Sequence, residues 1–311
     1  MTEQSILYQS LLENVACNLC GTNDYRLIYP GRYERAKPQE LVSTFRSSGD
    51  EILVDPLVEC QRCGLKYLNP RLREDIILEA YAAGTDELFV SQVKAREKTF
   101  EKSLRLIEKF VATKGKILDV GTGGGSFLHV AKTQGWEVQG CEPNRWLVEW
   151  AYKHYGLPIY AGTIFDQSWS DQYFDVVTLW DVLEHTTDPK KVLKECRRIL
   201  RKEGLLLVNY PDIDSLIARL MGRRWVFLLS IHLYYFTFVT LSRMLKDCGF
   251  EVIFHKRHWQ SLELDYIFQR MQSYLPLMAE TGRKVINGLG LQHVVVPYWM
   301  GQSLVFAKAS F

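Results

Sequence analysis

From Lys116 onward, short apolar runs alternate with stretches whose apolar residues recur at helical spacing, and glycine, proline or polar turns mark each change of period. KILDV, starting at Lys116, reads as a buried strand, GTGGGSF as the turn that follows, and the next segment as a helix through Thr133. WEVQGCE and WLVEWAYKHYG supply the next strand and helix. FDVVTLW is a third clear strand, PKKVLKECRRIL a helix capped by Gly204, and GLLLVNYP a further strand. This alternation predicts an α/β fold, a doubly wound and mostly parallel sheet with helices on both faces. The tail adds the helix TLSRMLKDCGF and two strand candidates, EVIFH and QSLVFAKA, suited to close the sheet as an antiparallel edge.

Upstream, residues 92–112 place Val93, Phe100, Leu104, Ile107 and Val111 at three-, four- and seven-residue spacings between charged positions. They predict an amphipathic helix whose basic residues are balanced by Glu97, Glu101 and Glu108, a solvated face. Before about residue 75, two C-x-x-C pairs, Cys17/Cys20 and Cys60/Cys63, flank a polar, turn-rich stretch. The expected organisation is a zinc-binding module over 1–75, a helical linker over 76–112 and a main domain over 113–311. The longest apolar run, Trp225 to Leu241, is short for a bilayer span and carries a His, a Ser and two Thr. It reads as core and pocket lining, with peripheral membrane contact left open and no transmembrane segment expected.

Charge narrows the functional classes. Among 311 residues, Lys+Arg 38 against Asp+Glu 36 leaves no basic excess, which disfavours nucleic acid as a substrate. The start, MTEQSILYQSLLENV, has no secretory pattern, so a cytoplasmic protein is expected. In that compartment the paired cysteines favour metal over disulfides. Zn²⁺ takes four tetrahedral thiolates, and a set closed in this way is structural, since no position is left for water. Cys141, Cys196 and Cys248 lack such a partner and read as ordinary buried thiols.

The strongest chemical signal is Asp119-Val120-Gly121-Thr122-Gly123-Gly124-Gly125, where a buried strand gives way to a helix. Glycines at 121, 123 and 125 allow positive φ and close approach of a ligand to the backbone. The spacing is G-x-G-x-G, and an acid stands two residues before the first glycine. A carboxylate there suits a cationic amino-acid group and would repel a pyrophosphate. Glu142, at the end of the second strand, stands where such sites put an acid for ribose hydroxyls. Trp180-Asp181-Val182-Leu183-Glu184-His185 follows the third strand at its carboxyl end, which makes His185 a candidate base or orienting group.

Together these motifs resemble the class I S-adenosylmethionine-dependent methyltransferase family, over roughly residues 110–255. Cys60-Gln61-Arg62-Cys63-Gly64-Leu65-Lys66-Tyr67-Leu68-Asn69-Pro70-Arg71 is similar to the second half of the zinc-binding segment that precedes some of these domains, as in the methyltransferases of sugar and polysaccharide biosynthesis. His232-Leu233-Tyr234-Tyr235-Phe236-Thr237 is similar to the H-x-Y-x-F-type segment that enters their substrate pocket. Leu229, Ser230 and Ile231 depart from the Pro and Glu those relatives carry before the His, and the chain stops near residue 311 without the further C-terminal domain of the sugar C-methyltransferases.

The resemblance implies a methyltransferase domain over 113–311, with a substrate-covering segment at about 212–240. It implies S-adenosylmethionine held by Asp119, Gly121, Thr122, Gly123, Gly125, Glu142, Pro143, Thr163, Trp180 and Asp181, and structural zinc on Cys17, Cys20, Cys60 and Cys63. On the acceptor side stand His232, then His185, with Tyr234 or Tyr235 orienting the acceptor. The acceptor expected is a small molecule or glycan. A lipid-linked or apolar acceptor, and a non-catalytic cofactor-binding or zinc-mediated interaction protein, are the alternatives; the acceptor atom and the oligomeric state stay open.

Overall fold

A computed structural model describes residues 10–32, 53–272 and 275–310 of the protein. The amino-terminal part pairs β1 (Leu12–Glu13) with β5 (Arg71–Leu72) and builds an antiparallel sheet from β2 (Tyr25–Tyr29), β3 (Leu57–Cys60) and β4 (Lys66–Leu68). Three helices follow, α1 (Glu74–Ala83), α2 (Glu87–Ser91) and α3 (Val93–Ile107). α3 buries Val93, Leu104 and Ile107 on one stripe, as its apolar spacing requires.

The central unit alternates β6 (Lys116–Val120), α4 (Ser126–Thr133), β7 (Glu137–Glu142), α5 (Arg145–Tyr155), β8 (Tyr160–Ala161), β9 (Phe174–Trp180), α6 (Pro189–Ile199) and β10 (Leu200–Pro211). Beyond α7 (Leu216–Met221) come β11 (Tyr234–Tyr235), α8 (Phe238–Asp247), β12 (Phe250–Arg257) and β13 (Gln260–Glu263). α9 (Leu264–Met271), α10 (Pro276–Gly288), β14 (Val295–Tyr298) and β15 (Gln302–Ala309) complete the order. Seven strands form the sheet β12-β15-β10-β9-β6-β7-β8. Only β15 runs against the others, pairing antiparallel with both β10 and β12. The tail strands therefore close the sheet, as expected.

Both faces of this sheet are covered, and its strands are accordingly continuous in apolar residues. Leu118, Val177, Leu179, Leu206 and Val208 belong to one core, and Ile117, Val176, Leu205 and Leu207 to the other. Burying each such side chain contributes about 1.5–3 kcal/mol, which fixes the register of every strand to its face. α6 shows the local code in full: Asp188 caps it by accepting from the Lys191 amide at 3.0 Å, Pro189 opens it, and Val192, Leu193, Cys196 and Ile199 form its buried stripe.

Two expectations need correction. The α6 helix stops at Ile199, and Gly204 lies within β10 at a register shift between Leu200 and Leu205 instead of capping the helix. α9, α10 and the β13-β14 pair occupy a stretch for which the sequence pattern predicts no element.

The amino-terminal sheet is completed by chain from far downstream. β11 pairs antiparallel with β4, Tyr234 opposite Tyr67 and Tyr235 opposite Lys66. Leu53 donates its amide to the Leu228 carbonyl at 3.1 Å, and Leu68 to that of Leu233 at 3.0 Å. Cys17, Leu19, Cys60 and Tyr67 thus share one core with Phe236, Leu241 and the inner face of the main sheet. Trp225, Leu229, Leu233 and Phe236, within the longest apolar run, are buried in it. Among the described residues, no helix is long and apolar enough to cross a membrane.

Candidate functional site

Chain order reverses beside β6: β7 and β8 lie on one side of it, β9 and β10 on the other. At such a switch point the loops leaving adjacent strands part and open a crevice at the carboxyl ends. A cavity of about 670 Å³ occupies it, lined by Asp119 to Gly124, Pro143, Trp180 to Val182 and Asn209. Its size is ordinary for a ligand site.

The glycines at 121, 123 and 125 take the positive φ that the sequence predicts. Gly121 and Gly123 take φ of 64° and 55°. A Cβ on Gly121 would lie 2.8 Å from Val182 Cγ2, and one on Gly123 2.9 Å from Phe89 Cε1. Gly125, also left-handed at φ 78°, starts α4 and faces Ile159 and Leu157 rather than the cavity.

Asp119 and Glu142 flank this loop, each fully buried. Asp119 lines the cavity and accepts from Thr178 Oγ1 at 2.6 Å. Glu142 does not line it, because its oxygens accept the amides of Gly123 and Asn144, both at 2.8 Å. It holds the loop against the end of β7. Burial pushes both carboxyls up to about 7.

Further along the wall are Pro143, Thr163 and Trp180, whose buried Nε1 has no partner among the described residues. The Trp180 ring is fixed by Phe100 and Phe127, each with its centroid 5.2 Å away. Asp181 adopts φ 51° and accepts from Asn209 Nδ2 at 2.6 Å and Gln260 Nε2 at 3.3 Å. Burial raises its carboxyl to about 6, against the pull of Arg96. A left-handed aspartate is uncommon and persists here because the surroundings hold it. The sequence pattern gives no sign of the roof: Tyr81, Phe89, Arg96 and Phe100, from the helices expected to be a linker, close over the glycine loop. The Arg96 guanidinium lies 3.9 Å from the Phe89 ring centroid.

The deep end of the cavity brings Glu184, His185 and His232 together. The imidazole centroids are 4.7 Å apart. Each turns Nδ1 to a main-chain carbonyl, His185 to Ile231 at 2.9 Å and His232 to Phe227 at 2.8 Å. Since a carbonyl only accepts, Nδ1 donates in both, and the Nε2 lone pairs stay available. Both carboxylate oxygens of Glu184 are buried without a partner among the described residues. Burial lowers His185 to about 4, and burial with the neighbouring His185 takes His232 well below the usual imidazole range. Tyr235 stays outside: it does not line the cavity, and its hydroxyl donates to the Leu229 carbonyl at 2.6 Å. Tyr234 likewise donates to the Thr187 carbonyl, at 3.1 Å. Glu184 was legible only as the neighbour of His185.

In the amino-terminal part Cys17, Cys20, Cys60 and Cys63 converge, their sulfurs all within 4.8 Å of one another. None is in a disulfide. Cys17 Sγ is 3.4 Å from Cys63 Sγ, and Cys20 Sγ 3.5 Å from Cys60 Sγ. Thiolates about 2.3 Å from one tetrahedral zinc stand about 3.8 Å apart, so the set fits the ion. Left as thiols, burial pushes Cys17 up to about 11; a bound ion would reverse that shift.

The switch-point crevice, the acid before the glycine loop and the acid closing β7 define an α/β domain of the methyltransferase class. A family model described as a methyltransferase domain matches residues 93–255, more than half of the chain. The protein belongs to this family, the class I S-adenosylmethionine-dependent methyltransferases. It is 28% identical over 132 residues to a ubiquinone biosynthesis O-methyltransferase of Coxiella burnetii, covering 40% of this chain and 56% of the relative. It is 34% identical over 104 residues to a protein of the same description from Actinobacillus pleuropneumoniae, covering 30% and 44%. The chain thus spans about half the length of the curated relatives it matches. A solved methyltransferase in complex with the Haloferax volcanii Trm112 methyltransferase activator shares the fold, with a TM-score of 0.52 and 16% identity over 73% of this chain and 96% of that one.

Proposed function

We propose that the protein methylates a small-molecule acceptor that carries a hydroxyl on a largely apolar body. One observation carries this reading: the cavity that begins at the glycine loop runs on past Trp180 to Glu184, His185 and His232, and its wall there is Val226, Phe227, Leu229 and Ile231. Ile267, Met271 and Leu275 continue that wall, and exposed Leu277 and Met278 follow on α10. An apolar body would remove this surface from water, at about 25 cal/mol per Å² buried. The ubiquinone O-methyltransferase relatives point the same way.

S-adenosylmethionine supplies an activated methyl group on a sulfonium. Asp119 and the amides around Gly121 and Gly123 would receive its amino-acid part, Pro143 and Thr163 its base, with Trp180 and Asp181 beside the reacting end and Glu142 bracing the glycine loop from behind. The chain's main work is alignment of acceptor and methyl under the roof of Phe89 and Phe100, where a fixed approach replaces a bimolecular encounter. The hydroxyl proton is taken by the group at Glu184 and His232. The four thiols hold structural zinc, and a four-thiolate site persists in the reducing cytoplasm to which this reading assigns the protein.

The test is release of S-adenosylhomocysteine with a panel of acceptors, hydroxylated aromatics bearing isoprenoid tails on one side and nucleotide-linked sugars on the other. Turnover with the first set alone is expected. Turnover confined to sugars would restore the glycan reading, and cofactor binding with no turnover on any acceptor would favour a non-catalytic protein.

A further inference from the structure

Glu184, His185 and His232 have the features of a ligand set, beyond those of an acid–base pair. Each offers one donor atom, and these atoms lie within 4.8 Å of one another. The Nδ1 contacts to the Ile231 and Phe227 carbonyls are the outer-shell bonds that fix a metal-binding histidine with Nε2 toward the ion. The two segments that carry them are joined before any ion arrives, because the Leu233 amide donates to the Glu184 carbonyl at 2.8 Å.

The carboxylate is the independent observation. Glu184 is 1% exposed, and both its oxygens lack a partner among the described residues. A buried polar group without a partner costs on the order of a few kcal/mol, and a buried anion more. Asp181 acts on it with like charge, which increases the cost. A cation between Glu184 and the imidazoles removes the penalty.

We propose that Glu184, His185 and His232 bind one divalent transition ion, separate from the four thiols, and that the acceptor oxygen coordinates it. Two imidazoles and one carboxylate suit zinc, iron, manganese or cobalt over magnesium or calcium. Three protein ligands facing a cavity leave open positions, the pattern of a catalytic and not a structural ion. The inference rests on reading this end of the cavity as the acceptor end. The hydroxyl bound to the ion passes its proton to the Glu184 oxygen that does not ligate. The oxygen lone pair then forms the bond to the methyl carbon while the sulfur–carbon bond breaks, its electron pair remaining on sulfur as the thioether. No redox partner is needed.

The test titrates cobalt(II) chloride into the full chain with its thiol site filled by zinc, in the absence of cofactor and acceptor, followed by calorimetry and visible absorption. One cobalt ion per chain is expected beyond the zinc, with weak d–d bands and no thiolate charge-transfer band. Replacing an outer-shell partner of a metal site typically costs about 10–100-fold in affinity, so Glu184→Gln and His232→Gln should each weaken cobalt binding by about 100-fold or more. Both should retain the thiol-bound zinc and bind S-adenosylmethionine like the parent chain, which shows that they are folded. No cobalt uptake beyond the thiol site, uptake with a thiolate band, or equal uptake by both variants would overturn the proposal. Failure of the methyltransferase reading would appear separately, as absent S-adenosylmethionine binding in the same preparations.

Discussion

Tyr67 and Tyr234 stand opposite each other where β4 meets β11, their rings stacked with centroids 6.3 Å apart. Tyr67 lies four residues beyond Cys63, and Tyr234 two beyond His232. The thiol module and the deep end of the cavity are therefore one mechanical unit. Stripping zinc, or Cys60→Ser, should release β4, speed hydrogen exchange at the Leu68 and Tyr235 amides, and lower turnover by about tenfold or more. Affinity for S-adenosylmethionine should hardly change, since the glycine loop lies on other elements. Slow exchange at both amides after zinc loss would separate the two parts.

Gly123→Val tests the loop. Its φ of 55° disfavours any side chain, at about 1–2 kcal/mol, and the new Cβ would press on Phe89. The variant should melt lower and lose most of its cofactor affinity in calorimetry. Retained affinity would move the cofactor away from this loop.

The pH dependence follows from Asp119 and Glu142, each raised by burial to about 7. An unfolded carboxyl titrates near about 4, so between those values the folded chain holds protons that the unfolded chain has released. The stability contributed by these groups is full below about pH 4 and is lost as pH rises through about 7. A cationic cofactor favours the ionised forms. Its affinity should therefore rise between about pH 6 and 8, with protons released on binding at pH 7. Calorimetry in buffers of different ionisation enthalpy measures that release; proton uptake would contradict the placement of Asp119.

His232→Ala should bind S-adenosylmethionine normally and methylate about 10²–10⁴-fold more slowly, whether the imidazole acts as base or ligand. Loss of cofactor affinity in step with activity would make it a structural residue, held for its bond to the Phe227 carbonyl.

What the sequence by itself determined was everything encoded over short stretches. The strand–helix alternation, the left-handed turn at Gly121 and Gly123, and the start of α6 at Asp188-Pro189 depend on period, φ preference and capping, which neighbouring residues set among themselves. The four cysteines were legible because thiolate chemistry leaves few other uses for two such pairs. Only the tertiary structure decided that β11 completes the amino-terminal sheet and that helices with a balanced polar face roof the glycine loop. It also set Glu184 and His185 against His232, and directed the Tyr235 hydroxyl to Leu229 instead of the cavity. A two-residue strand has no periodicity of its own, and a carboxylate looks the same in sequence whether water or an imidazole faces it. The β11–β4 pairing and the meeting of Glu184 and His185 with the His232 segment join residues more than forty positions apart, and their partners are chosen by how the covered sheet brings distant segments side by side.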